Sequence, residues 1–150
     1  MKHEAEWRYQ IGELMIRFAE IESYIAGLLV CLPEENKFEK LKNEKFNKRC
    51  SVVINAAKSS SINKETIKTI VSCINQAMRL SETRNLIAHN PINLSLESIF
   101  DDNLRHEIRS YKNNDKYIEL DELKDTVSKI QTCSNMLYEA LSSTESEIYA

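Results

Sequence analysis

Two glycines and two prolines in 150 residues leave almost no helix breakers. That scarcity excludes a loop-rich sandwich, a collagen-like repeat or a flexible linker, and it points to long helices. Long hydrophobic runs are missing too: the longest, Ile25 to Leu32, falls short of the roughly 20 residues that cross a bilayer. The segment Met1 to Trp7 is charged and carries no apolar leader, so the expectation is a cytoplasmic protein with no membrane partner. The cysteines, Cys31, Cys50, Cys73 and Cys133, form no C-x-x-C pair and have no histidine at ligand spacing. Neither a disulfide framework nor a metal site is expected, no cofactor is implied, and the thiols read as buried and reduced. A net charge of −3 argues against tight, nonspecific binding of RNA over the whole surface. What remains is a 42% apolar chain, enough for one core and a single domain spanning 1–150.

The apolar spacing predicts a mainly α architecture. A first helix runs from about Glu4 to Leu32, with Trp7, Ile11, Leu14, Phe18, Ile21, Ile25, Leu28, Leu29 and Leu32 on one stripe, and Pro33 ends it. A second follows Asn36 and reaches about Lys58, with Phe38, Leu41, Val52, Val53 and Ala56 inward. Asn63 is a good N-cap for a long third helix. After Pro91 two turn clusters, Asp101-Asp102-Asn103 and Asn113-Asn114-Asp115, separate short runs and suggest a small β-hairpin or meander. Asp121 caps a fourth helix with Leu123, Val127, Ile130, Ser134, Leu137, Tyr138 and Leu141 inward, and the chain is expected to fray from about Ser142.

Three polar residues stand out at the end of the third helix, in R-N-L-I-A-H-N-P from Arg84 to Pro91. Counted at about 100° per residue from Ile67, the stripe of Ile70, Val71, Ile74, Ala77 and Met78 continues into Asn85 at about 0° and His89 at about 40°, with Arg84 on its shoulder at about 260°. Polar groups in core phase need partners, a second subunit or a ligand. Glu22 falls about 60° from Trp7 on the first stripe, where it either pairs with Arg84 or His89 or reaches water at the stripe's edge. Residues 37–49 hold six basic side chains against two acidic, and Lys42, Lys45, Lys48 and Arg49 could track a phosphate backbone or simply form a solvated face.

The spacing of Arg84 and His89, with Asn85 after the arginine and an apolar filling, resembles the signature of HEPN domains, small helical dimeric modules found in many ribonucleases. The setting is similar as well: the motif closes a late helix, and the first helix reads F-A-E-I-E-S-Y-I. The resemblance covers residues 5 to 92 well and the remainder loosely. It implies a four-helix up-and-down bundle with the small β element inserted before the last helix. It also implies a homodimer whose composite cleft pools Arg84 and His89 from both copies, positioned by Asn85; Glu22, through its place on the first stripe, is the expected supporting residue. Such a site cleaves RNA without metal: the 2′-hydroxyl attacks, histidine moves protons and arginine stabilises the phosphorane. The use would be that of a toxin or defence effector, with an antitoxin or regulatory protein as partner. HEPN toxins silenced by a nucleotidyltransferase tend to carry tyrosine two residues after the histidine, where this chain has Pro91, so that route of silencing is not expected. The alternatives are an inactive HEPN dimerisation module that binds nucleotide or RNA, and a helical regulatory partner, in which Asn85 and His89 only cap and pack.

Overall fold

The computed structural model describes residues 1–32 and 37–150, and in them most of the apolar periodicities become helices. Helix α1, Glu4–Cys31, buries Trp7, Leu14, Phe18, Ile21, Ile25, Leu28 and Leu29, the stripe that its spacing predicts. The Leu32 N–H donates to the Leu28 carbonyl at 2.9 Å and closes the last turn. The roles assigned to Pro33, Asn36 and the Phe38 side chain lie outside the described residues.

The expected second helix is two. Helix α2, Lys37–Leu41, stops, and α3, Phe46–Ser59, starts after Lys45 adopts an extended backbone at φ −60° and ψ 149°. The Leu41 carbonyl accepts from the Glu44 N–H in a turn. The bend lets both Leu41, which is buried, and Phe46, which packs on the core, turn inward from one short segment. Helix α4, Lys64–His89, begins as expected, with the Asn63 side chain accepting from the Glu65 N–H at 2.8 Å.

Beyond Pro91 the meander is present, as three short antiparallel strands, β1 Ile92–Leu94, β2 His106–Arg109 and β3 Tyr117–Glu119, in the order β1-β2-β3. Ile92, Ile108 and Ile118 line up across them, so one row faces the helices. Between β1 and β2 lies a short helix α5, Leu96–Phe100, where the sequence suggested only an apolar run. The buried Ser98 hydroxyl explains it: it donates to the Ser95 carbonyl at 2.7 Å and accepts from the Arg105 N–H at 3.0 Å, tying both ends of the insertion. Ile99 and Phe100 stay exposed.

Helix α6, Leu120–Tyr149, starts one residue before Asp121, which sits in its first turn. It does not fray at Ser142: Thr144 is buried and donates to the Ala140 carbonyl, and the Glu147 carboxylate accepts from the Asn63 N–H at 2.9 Å. Tyr138, expected inward, is exposed and leans its ring on Tyr24 at 5.5 Å.

Helix direction differs from a simple up-and-down order. Glu6 meets Lys124, Glu13 accepts from Gln131, and Gly27 faces Leu141, so α6 runs parallel to α1. A Cβ at Gly27 would come 2.9 Å from Leu141 Cδ2, and glycine is what permits this approach. Helix α4 runs against both, with Cys73 at Cys133 and its N-cap at Glu147. An up-and-down bundle of four would oppose its first and last helices, whereas α1 and α6 here are parallel.

Candidate functional site

The end of α4 carries the motif, and its geometry corrects the expected phase. Of the five buried residues of α4, Ile70, Cys73, Ile74 and Ala77 centre near about 290° from Ile67, because Val71 and Met78 are only half-buried at the margin, and Ile87 lies still farther from Asn85, near about 200°. Asn85 and His89 therefore fall about 70° and 110° off the core direction, and both are exposed. Arg84, about 30° off, stays half-buried.

Arg84 is held from two sides. Its Nη2 donates to Glu22 Oε1 at 2.9 Å, and its guanidinium lies 5.1 Å from the centre of the Phe18 ring. Phe18 rests in turn on Phe46, centre to centre 5.2 Å, with Arg49 on the far side at 6.0 Å. The pairing of Glu22 with Arg84 is the partner its place on α1 required. Cys50 of α3 is fully buried, and burial, with the Glu22 carboxylate adding to it, pushes the thiol up to about 12. Glu22→Ala is expected to cost about 1 kcal/mol, since the pair is a quarter to a third exposed, and to free the Arg84 side chain; urea unfolding and the Arg84 side-chain NMR signals report the two effects.

His89 lies in a cleft of about 400 Å³ on another face of the same helix, lined by Glu82, Asn85, Asn90, Tyr111, Lys112 and Lys116. Asn90, the residue that follows the histidine, organises it. Its amide donates to the Leu86 carbonyl at 2.8 Å and its oxygen accepts from the Tyr111 N–H at 3.1 Å, so the β2–β3 turn is fastened to the helix end. The turn is itself ordered by the Ser110 hydroxyl, which accepts from the Lys112 and Asn113 N–H groups at 3.2 Å. Lys116 reaches only a loose 3.5 Å pairing with Glu82, and the Tyr111 ring is 75% exposed. Lys112 and Lys116 were legible only as turn residues, because nothing local says that this turn folds back on His89.

The basic stretch of α2 and α3 is divided. Lys42 pairs with Glu39 at 2.6 Å and Lys48 with Glu44 at 3.5 Å, Lys45 is exposed, and Arg49 turns onto Phe46 with its Nε buried and without a hydrogen-bond partner. It is linked to Arg84 indirectly, through the tilted ring pair of Phe46 and Phe18, and does not line the His89 cleft. His89 and Arg84 are thus not brought together within one chain: five residues apart, they sit about 140° round the helix and about 7.5 Å along it. Among the described residues no three His, Cys, Asp or Glu side chains are grouped to hold a metal, and no helix is long and apolar enough to cross a membrane. Comparison with family models, with curated proteins and with solved structures returns no match.

Proposed function

We propose that this protein is a HEPN-type, metal-independent endoribonuclease that works as a homodimer, with the regulatory setting of a toxin or defence effector. The observation that carries the reading is the solvent-facing His89 in a cleft with Asn85, Lys112, Lys116 and the open Tyr111 ring, on the helix end that also presents Arg84. An imidazole there can take the 2′-hydroxyl proton or protonate the leaving 5′-oxygen, while ammonium and guanidinium groups stabilise the phosphorane. The products are a 2′,3′-cyclic phosphate and a 5′-hydroxyl.

One chain offers a single histidine here, with its arginine on another face, and a second copy supplies the missing pair. Support for a second copy comes from the outer face of α1, where Tyr9, Ile16 and Val30 are 61%, 58% and 59% exposed. With Gly12, Ala19, Ser23 and Ala26 they follow alternating three- and four-residue steps, the spacing of a helix-pairing seam, and no charged residue interrupts them. The test is cleavage of labelled RNA by purified protein in excess EDTA, beside Arg84→Ala and His89→Ala preparations matched for fold and oligomeric state. Loss of cyclic-phosphate product in both supports the composite site; undiminished cleavage by either rejects it.

The engagement of Arg84 by Glu22 and Phe18 favours a second reading, a noncatalytic module that binds RNA or a helical regulatory partner, in which the arginine only fastens α4 to α1. Lys112 and Lys116 serve RNA binding under the nuclease and RNA-module readings alike. Replacing both with alanine is expected to weaken binding of a 2′-O-methyl oligonucleotide, which cannot be cleaved, and to flatten the dependence of log affinity on log salt by about 1.4, measured by fluorescence anisotropy.

A further inference from the structure

Halfway along, α4 and α6 meet through two sulfurs. Cys73 and Cys133 are each 4% exposed; Cys133 Sγ donates to the Cys73 carbonyl oxygen at 3.1 Å, and both cysteines line the same cavity between the helices. The other thiols have no such neighbour among the described residues: Cys31 Sγ donates to the Gly27 carbonyl of its own helix, and Cys50 is fully buried in α3 with no hydrogen bond to another cysteine. A cavity of about 270 Å³ opens onto the facing sulfurs, with Ser72, Gln76, Lys129 and Thr132 on its walls. It is wide enough for a small polar oxidant.

We infer that Cys73 and Cys133 form an oxidisable dithiol that a hydroperoxide, entering through this cavity, converts to a disulfide joining α4 to α6. The two sulfurs are unequal. The Cys133 thiol donates its proton to the Cys73 carbonyl, while the Cys73 thiol has no hydrogen-bond acceptor among the described residues and is the one left free to react. Cys73 therefore attacks the peroxide first: an S–O bond forms, the O–O bond breaks, and the departing alkoxide takes the thiol proton and leaves as an alcohol, or as water from hydrogen peroxide. Cys133 sulfur then attacks the sulfenic sulfur, the S–S bond forms, the S–O bond breaks, and hydroxide leaves with the Cys133 proton as water. Two electrons pass from the sulfurs to the peroxide, and two equivalents of a thiol reductant return the disulfide to the dithiol by exchange, leaving as their own disulfide.

The bond closes a loop between positions 60 residues apart and clamps the helix that carries Arg84 and His89. Its formation does not depend on the ribonuclease reading. The full chain is exposed to stoichiometric hydrogen peroxide, quenched with N-ethylmaleimide under denaturing conditions, and mapped by peptide mass without reduction. The expected result is a Cys73–Cys133 linked peptide two hydrogens lighter than the sum of its parts, removed by dithiothreitol, with Cys31 and Cys50 alkylated. The oxidised protein should melt on the order of 10 °C higher. In Cys133→Ser, dimedone should label Cys73; in Cys73→Ser, Cys133 should resist oxidation. Full alkylation of all four thiols in the wild type, or a link through Cys31 or Cys50, overturns the assignment, and the wild-type arm decides this even if a serine variant fails to fold.

Discussion

His89→Ala is expected to lower RNA cleavage by about 10²–10⁴-fold while leaving the melting temperature within about a degree of the parent. Both halves follow from placement. The imidazole is exposed at the last position of α4, and among the described residues it makes no hydrogen bond that the fold relies on, since Asn90 does the fastening of the helix end. On the nuclease reading, deleting it removes a proton carrier and little else. Arg84→Ala gives the contrast: it strands the half-buried Glu22 carboxylate and uncovers the Phe18 ring, so loss of activity there is accompanied by a drop in stability of about 1–2 kcal/mol. A scan of both variants by calorimetry and by end-point cleavage separates the roles. If His89→Ala cleaves as well as the parent, the histidine is a surface residue and the nuclease reading falls. If RNA binding survives without turnover in the parent itself, the noncatalytic module takes its place.

The residues that fix the helices were legible because burial on α1 and α6 repeats with the helical period over many turns. Trp7 to Leu29 and Leu123 to Leu137 face the core where their spacing puts them. What escaped was non-local or marginal. The phase of α4 is not legible locally because Val71 and Met78 are as apolar as the core positions, whereas contact with α6 selects the Ile70–Cys73–Ile74–Ala77 side; the core direction turns by about 50° and leaves Asn85 about 70° off it, on the outside. The continuation of α6 past Ser142 is fixed by Glu147 meeting Asn63, a contact across 84 positions that no window of sequence contains. Short elements behaved the same way: α5 forms because Ser98 bridges Ser95 and Arg105, not because Leu96 to Phe100 favour a helix. At the site, the Glu22–Arg84 pair could be anticipated from two polar residues on two apolar stripes, while the lysine-bearing turn over His89 became visible only with the strand register that returns it there.

Phe18→Ala should be the most destabilising of the changes considered, costing about 3–5 kcal/mol and lowering the melting temperature by roughly 10–15 °C. Phe18 is 1% exposed and joins three elements: its α1 backbone, Phe46 of α3 in a tilted ring pair, and the Arg84 guanidinium of α4. Truncation leaves a cavity and also withdraws the ring face that balances Glu22 in holding the arginine. Phe18→Leu separates these contributions. Leucine refills most of the volume, so the packing loss falls to about 1–2 kcal/mol, but it offers no π face to the guanidinium. If the ring positions Arg84 for chemistry, Phe18→Leu loses cleavage out of proportion to its small change in stability, and restoring an aromatic ring with Phe18→Tyr recovers part of it. Cleavage that tracks stability across all three variants assigns Phe18 to the core alone, and leaves the Glu22 carboxylate as the group that sets the direction of the arginine.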